Sequence, residues 1–166
     1  MALSESDLYA CYRRLEKPLF NVLYRWLWHA QDCQDILHDA FLRLWDRRAR
    51  IDTQRVDQLA WTTALNLARN RLRWRRLWRF GTVDVEEESS DDPVVHAQRR
   101  ERDARLRRAL EALPRAQRDV LLLAEFGGLD TREIAALLRI PAGTVGSRKH
   151  QALITLRSAL GEIRDE

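Results

Sequence analysis

An acidic stretch near the middle of the chain divides it into two parts. Residues 81–97, GTVDVEEESSDDPVVHA, carry six carboxylates and neither lysine nor arginine. A segment with this much charge and so few large apolar side chains cannot bury a hydrophobic core and is typical of a linker. Residues 1–80 carry a net charge of +6, and residues 98–166 carry +4. The sequence therefore predicts two small basic domains joined by a flexible acidic linker.

Both domains are predicted to be helical. Apolar residues recur with the period of a helix, runs of alternating β-branched residues are absent, and the chain has only six glycines. Ser4 is a suitable cap for a first helix, with Asp7 in its first turn. Pro18 either ends that helix or opens a second one at its first position, and the second interpretation makes the first domain a four-helix unit. The other two helices are predicted over 32–46 and 59–79, with a loop over 47–58.

The second domain is predicted to contain a helix-turn-helix. Asp130 and Glu133 have the spacing of a capping box at the start of a short helix that ends at Leu138. A tight turn follows, and a longer helix is predicted over 143–160. Two further helices come before this pair, one ended by Pro114 and one over 116–126. The predicted fold class is therefore all-α, with two small helical domains.

Composition and termini argue against several classes of protein. No apolar run approaches the roughly 18 residues of a membrane span, and the N-terminus lacks the basic and apolar regions of a signal peptide. Cys11 and Cys33 are too few for a disulfide framework, so free thiols are expected. Asp32, Asp35 and Asp39 share a helix face, but no nucleophile–base pair, glycine-rich phosphate loop or metal-ligand spacing accompanies them. We therefore expect a cytoplasmic protein that is not an enzyme and holds no cofactor or metal.

The most specific pattern lies between Leu110 and Leu160. Its motifs are Leu113-Pro114, Gln117-Arg118, Glu133-Ile134-Ala135, Ile140-Pro141 and Gly143-Thr144-Val145. With these motifs the segment resembles region 4 of the bacterial extracytoplasmic-function sigma factors, which are members of the sigma-70 family. In the first domain, DCQDILHDAFLRLW at 32–45 and ALNLARNRL at 64–72 resemble two helices of region 2 of the same family. Together the two resemblances cover nearly the whole chain, in the family's order.

This resemblance implies a subunit that binds core RNA polymerase and directs promoter recognition, promoter melting and transcription initiation. It implies docking on the coiled coil of the polymerase β′ clamp and on the β flap, binding to promoter DNA, and a monomer when the protein is free. Factors of this kind are held by an anti-sigma protein, often membrane-anchored, so such a partner is expected. The alternative is a dimeric helix-turn-helix regulator that binds duplex DNA without polymerase, which explains the second domain but leaves the first without a purpose.

One face of the 32–46 helix is predicted to bind polymerase. The opposite face carries the apolar stripe, so Leu42 stands outside that stripe among charged residues. An apolar residue within a charged rim is typical of the centre of a small interface. In the family the corresponding helix docks on the β′ coiled coil. The predicted polymerase-binding residues are Asp35, His38, Asp39, Leu42, Arg43 and Asp46.

The 47–58 loop and the helix after it correspond to the part of the family that reads the −10 promoter element. Holding a melted strand needs cations for its phosphates and aromatic or polar groups for an extruded base. The predicted −10 residues are Arg48, Arg50, Gln54, Arg55, Trp61, Asn66, Arg69, Asn70 and Arg73. Six arginines between Arg69 and Arg79 favour phosphate contact. Trp74 and Trp78 are predicted to pack between helices rather than to stack on bases.

The longer helix of the helix-turn-helix is predicted to read the −35 element in the major groove. The predicted −35 residues are Arg132, Thr144, Ser147, Arg148, Lys149, His150 and Gln151. Two positions depart from the family pattern, which usually has basic residues where Gly146 and Gln151 stand. Each departure removes a possible guanine contact worth about 1–3 kcal/mol, whereas Gln151 can pair with adenine instead.

Overall fold

A computed structural model describes residues 1–78 and 93–161 of the chain. The helices are α1 (Glu5–Leu27), α2 (Ala30–Arg47), α3 (Val56–Leu77), α4 (Pro93–Glu111), α5 (Arg115–Glu125), α6 (Thr131–Leu138) and α7 (Ala142–Gly161), with 3₁₀ turns at Arg48–Arg50 and Thr53–Arg55. These two described ranges contain no β-strand, and they fall into two compact units, α1–α3 and α4–α7. The predicted all-α fold with two helical domains is therefore confirmed.

The predicted acidic linker falls mostly outside this description. Residues 81–92 lie beyond the described ranges, whereas α4 already begins at Pro93, inside the segment predicted as linker. Proline suits the first position of a helix because its missing N–H has no helical partner there.

The first unit has three long helices rather than the predicted four, because α1 runs through Pro18 without a break. The interpretation of Pro18 as a helix boundary is wrong. Proline inside a helix costs about 3 kcal/mol, since it cannot donate its backbone hydrogen bond. Leu15, Leu19 and Val22 nevertheless continue one buried stripe on both sides of Pro18. Each such burial contributes roughly 1.5–3 kcal/mol, so a continuous helix that keeps the stripe intact is more stable than a turn.

The start of α1 agrees with the sequence. The Asp7 backbone N–H donates to Ser4 Oγ at 3.1 Å, and the Ser4 backbone N–H donates to the Asp7 carboxylate at 3.4 Å, which makes a complete capping box. The next boundary is shifted, because α3 begins at the buried Val56 rather than at Leu59. Residues predicted as the end of the loop thus belong to the first turn of α3.

The core of the first unit lies between α1, α2 and α3. The fully enclosed side chains include Leu19, Val22, Leu23, Ala40, Ala60, Ala64, Leu65 and Ala68. Both cysteines lie in this core as free thiols. Burial raises the pKa of the Cys11 thiol to about 12, with a hydrogen bond to Asp57 acting in the same direction. Burial likewise raises the pKa of Cys33 to about 12, helped by the negative charge of Asp32.

We expect neither thiol to react with a disulfide reagent at pH 8 while the protein is folded. A pKa of about 12 leaves about one thiol in ten thousand ionised at that pH, and only the thiolate attacks. Because the folded thiols keep their protons to higher pH than the unfolded ones, they also make the free energy of unfolding fall as pH rises from about 9 towards 12. Thiol titration with and without denaturant measures the first effect, and any thiol that reacts rapidly in the native protein would contradict it.

The second unit is built around α5, whose Val120, Leu121, Leu122 and Leu123 are all buried. The predicted capping box of α6 is present, with the Glu133 backbone N–H donating to Asp130 and the Asp130 backbone N–H donating to Glu133, both at 2.8 Å. Arg139 ends α6 in the left-handed conformation with φ of 56°. α7 then packs on α5 and α6 through Val145 and Ala152. The helix-turn-helix of the prediction is thus observed as α6, turn and α7.

Candidate functional site

Asp32 joins the three helices of the first unit. Its carboxylate accepts a short hydrogen bond from Arg75 of α3 and lies 3.7 Å from Arg71. Arg75 also donates to the Leu27 carbonyl at the end of α1, at 2.7 Å. His29 completes the junction, because its Nδ1 accepts the Asp32 backbone N–H at 3.1 Å and caps α2. Two of the arginines predicted to face phosphates therefore also hold the helices together, a role that sequence reasoning missed.

The predicted polymerase-binding residues share the outer side of α2, which we call the α2 face. Leu42 is 47% exposed there, on the side opposite the buried Ile36, Leu37 and Leu44. Arg43 Nε donates to the Asp39 carboxylate at 3.3 Å, in an exposed pair one turn apart. The remaining members, Asp35, His38 and Asp46, are exposed. The structure therefore places one large apolar side chain within a rim of both charges, as the sequence predicted.

The loop between α2 and α3 is fixed by backbone hydrogen bonds to the N-terminal residues. The Leu3 backbone N–H donates to the Ile51 carbonyl at 3.0 Å, and the Thr53 backbone N–H donates to the Met1 carbonyl at 3.2 Å. Arg48 lies over the Trp45 ring, 4.0 Å from its centroid, and donates to the Trp45 carbonyl at 2.8 Å. Of the predicted −10 residues in this loop, Arg50, Gln54 and Arg55 are exposed, whereas Arg48 is half-buried.

Along α3 the predicted −10 residues separate into surface and core. Asn66, Asn70 and Arg73 are exposed on one side of the helix, which together with Arg50, Gln54 and Arg55 of the loop we call the α3 face. Arg69 is half-buried, with its guanidinium 5.6 Å from the centroid of the Trp26 ring. Trp61 is only 2% exposed and belongs to the core, so its ring is not available to a base in this structure.

Two further tryptophans, at the end of α3, are not placed as the sequence predicted. Trp74 is 59% exposed and Trp78 is 71% exposed, so the prediction that they pack between helices is wrong. The buried stripe of α3 ends at Ala68, and the helix continues for more than two further turns. The partner helices therefore do not cover the side of α3 on which these rings lie.

The predicted −35 residues lie at the start of α7 and on α6. Ser147, His150 and Gln151 are exposed, and Thr144, Arg148 and Lys149 are half-buried. Arg132 is exposed in the first turn of α6. We call this set the α7 face. Val145 and Ala152 point the other way into the core, so the helix presents its polar side outward as predicted.

Two contacts hold the α7 face in place. Gln117 of α5 donates from Nε2 to Oε1 of Gln151 at 3.2 Å, and Lys149 lies 3.5 Å from the Glu125 carboxylate. At Gly146 a Cβ atom would meet nothing within 4 Å. The packing of the unit therefore does not require glycine there, and a long side chain could project outward from that position.

Across 1–78 and 93–161, no three histidine, cysteine or carboxylate side chains are gathered closely enough to hold a metal ion. In the same part of the chain, every helix is too short or too polar to cross a membrane.

Two family models match the chain, one in each unit. Residues 11–79 match the model described as sigma-70 region 2, and residues 103–156 match the one described as sigma-70, region 4. The first match includes α2 and α3, and the second includes α5, α6 and most of α7.

Curated relatives match over most of their length. The RNA polymerase sigma-E factor of Streptomyces coelicolor is 34% identical over 131 residues, which are 78% of this chain and 72% of that protein. The ECF RNA polymerase sigma factor RpoE of Cereibacter sphaeroides is 32% identical over 132 residues, 77% of this chain and 72% of that protein.

Solved structures share the fold. CnrH in complex with the cytosolic domain of CnrY matches with a TM-score of 0.73 at 21% identity, over 96% of this chain and 90% of that one. The sigma factor RpoE of Bartonella quintana, in complex with the anti-sigma factor NepR, matches with a TM-score of 0.67 at 17% identity, over 94% of this chain and 98% of that one.

Proposed function

Because the chain belongs to the sigma-70 family, as an extracytoplasmic-function sigma factor, we propose that its α2, α3 and α7 faces bind polymerase, the −10 element and the −35 element, respectively. As an alternative sigma factor it directs transcription initiation. The presence of a region 2 match and a region 4 match in one chain carries this conclusion. A regulator that only binds duplex DNA would need the second unit alone.

The α2 face would dock on the coiled coil of the β′ clamp. Leu42 supports this assignment, because a half-exposed leucine surrounded by Asp35, Asp39 and Arg43 can form the dry centre of an interface with a charged rim. The α4–α7 unit would contact the β flap.

The α3 face would hold the melted −10 strand. Arg50, Arg55 and Arg73 are exposed cations that suit the phosphates, and Asn66 and Asn70 are exposed amides that suit the edge of an extruded base. Arg48 would act from the rim of the loop, and Arg69 from beside Trp26. We leave Trp61 out of this surface because it is buried.

The α7 face would enter the major groove at the −35 element. Gln151 has a defined orientation there, because Gln117 donates to its Oε1. An amide oxygen has two lone pairs, so Gln151 can still accept from N6 of an adenine while its own N–H donates to N7. At Gly146 the protein has no side chain to place in the major groove, whereas the family usually has a basic residue at this position. We propose a −35 sequence that is richer in adenine and poorer in guanine than the family pattern implies.

Replacing Arg148 with alanine is expected to weaken binding to duplex DNA that contains the −35 element by about 1–3 kcal/mol, the value of one good base contact. Binding to single-stranded −10 DNA should stay unchanged, because Arg148 belongs to the other unit. Fluorescence anisotropy of the holoenzyme on the two DNAs measures both. Arg157→Ala, an exposed arginine farther along α7, is the matched control. Equal losses on both DNAs would contradict the proposed separation.

The free protein would be a cytoplasmic monomer held by an anti-sigma protein. Sigma factors of this family bind core polymerase and anti-sigma factors, and the two solved neighbours are a complex with the cytosolic domain of CnrY and a complex with the anti-sigma factor NepR. A membrane-anchored partner of that kind would keep the α2 and α3 faces from polymerase until a signal arrives. We propose no enzymatic activity and no cofactor.

Transcription with bacterial core polymerase on a pool of genomic fragments tests the proposed function. Sequencing the transcripts should give discrete start sites with shared −35 and −10 motifs upstream, and adenine preferred at the base that faces Gln151. Transcripts no more abundant than those of core polymerase alone, from a protein that binds duplex fragments as a dimer, would instead favour the regulator.

A further inference from the structure

The C-terminal end of α3 exposes three large apolar side chains within five residues. Trp74, Leu77 and Trp78 are 59%, 68% and 71% exposed. In residues 1–78 and 93–161, neither tryptophan ring packs against another aromatic ring. Contiguous apolar surface of this kind marks a binding site more often than it marks idle surface.

The charged residues near these rings indicate which kind of ligand the surface suits. The sequence has no acidic residue between Gln58 and Trp78. Arg71 and Arg75 lie beside Asp32, whereas Arg73 and Arg76 are exposed and have no acidic partner among the described residues. A surface that combines open aromatic faces with uncompensated arginines suits a polyanion whose bases are free to stack, and this is the composition with which proteins hold single-stranded nucleic acid. A duplex keeps its base faces covered and offers the rings nothing to stack on.

The position of the rings connects them to the α3 face. Asn66, Asn70, Trp74 and Trp78 recur at every fourth residue and are all exposed, so they form one row along the helix. Successive members are about 6 Å apart along the helix axis. The first two belong to the proposed −10 surface. The tryptophans follow Asn70 along the same row, and so they extend that surface towards the C-terminal end of α3.

We infer that Trp74 and Trp78 form a stacking platform for unpaired bases of the promoter strand adjoining the −10 element, with Arg73 and Arg76 on the neighbouring phosphates. This inference rests on the proposed function of the α3 face. The platform holds the strand once it is open, because the faces of the bases are accessible only when the bases are unpaired. It therefore favours melted over duplex promoter without reading a particular base.

Binding of the full chain, free and as holoenzyme, to a fluorescein-labelled oligothymidylate tests the platform. Trp74→Ala and Trp78→Ala should each weaken binding about tenfold, within the range known for loss of one base stack, without changing the slope of log affinity against log salt. Arg73→Ala should lower that slope by about 0.7. Trp74→Tyr should retain most of the affinity because it keeps an aromatic face. Leu77→Ala, on the same helix end and equally exposed, is the matched control and should bind like the wild type.

Three results would overturn the platform. The first is binding of the alanine variants to the oligothymidylate with the wild-type affinity, and the second is equal affinity of Trp74→Leu and Trp74→Tyr. The third is a loss of affinity of the tryptophan variants for core polymerase and not for DNA, which would assign the rings to a protein partner. Permanganate reactivity of promoter thymines separates this failure from failure of the proposed function. If the wild-type holoenzyme starts at discrete sites and the double alanine variant opens them equally well, only the platform fails. If the wild type selects no start sites, the proposed function fails.

Discussion

Leu42→Arg is expected to weaken the affinity for core RNA polymerase by 2 kcal/mol or more, about thirtyfold. The substitution removes the large apolar side chain on the α2 face and places a cation where the interface would exclude water. Leu42 is 47% exposed and lies outside the core, so the free energy of unfolding should change by no more than about 0.5 kcal/mol. Asp39→Arg should act in the same direction and more weakly, because Asp39 stands at the rim beside Arg43.

Competition for core polymerase with a labelled wild-type protein measures this loss. Tyr9→Arg is the matched control, since it puts the same charge on an exposed apolar residue of the same unit but on α1. The helical circular dichroism signal verifies that each variant is folded. Co-elution of Leu42→Arg with core polymerase at the wild-type affinity would remove the α2 face from the proposed interface.

Trp61→Ala is expected to lower the free energy of unfolding of the first unit by about 3–5 kcal/mol, the usual effect of deleting a buried tryptophan. Small domains have only about 5–15 kcal/mol in total, so this loss is severe. Trp61→Phe should be far milder, because it keeps most of the ring volume and removes an indole N–H that is buried without a hydrogen-bond partner in the described part of the chain.

Native-state hydrogen exchange separates this packing role from a DNA-binding role. Amides of α1–α3 should lose protection in Trp61→Ala, whereas those of α5–α7 serve as an internal reference because they belong to the other unit. The opposite pattern, with protection intact and −10 binding lost, would return Trp61 to the DNA surface.

Local signals in the sequence predicted local structure well. The cap at Ser4 and the capping box at Asp130 were recognisable because every group they need lies within three residues. The helix-turn-helix was recognisable for the same reason, since its turn and its periodic apolar residues are close in sequence. The all-α fold with two units followed from helical periodicity on either side of an acidic segment.

Features that depend on distant partners were predicted poorly. Pro18 suggested a helix end because its cost is local, whereas the compensating burial of Leu19 comes from α2 and α3. Trp61 and Trp74 differ in exposure because one lies within the reach of the partner helices and the other beyond it, and a single helix's pattern does not say where its neighbours stop. The bond between Asp32 and Arg75 joins residues 43 positions apart, so no spacing rule could reveal it.

That bond ties the first turn of α2 to the last turn of α3. Asp32 stands at the first turn of the helix that would grip polymerase, and its partner Arg75 stands on the helix that would hold the opened strand, next to Trp74. A fixed link between the two helices would transmit the position of one helix to the other. If polymerase seats α2 as proposed, this link would set the location of the DNA strand relative to the enzyme, and less orientational freedom would remain to be lost when the DNA arrives. A mutation at Asp32 should therefore weaken binding of the opened strand more than it weakens binding of polymerase.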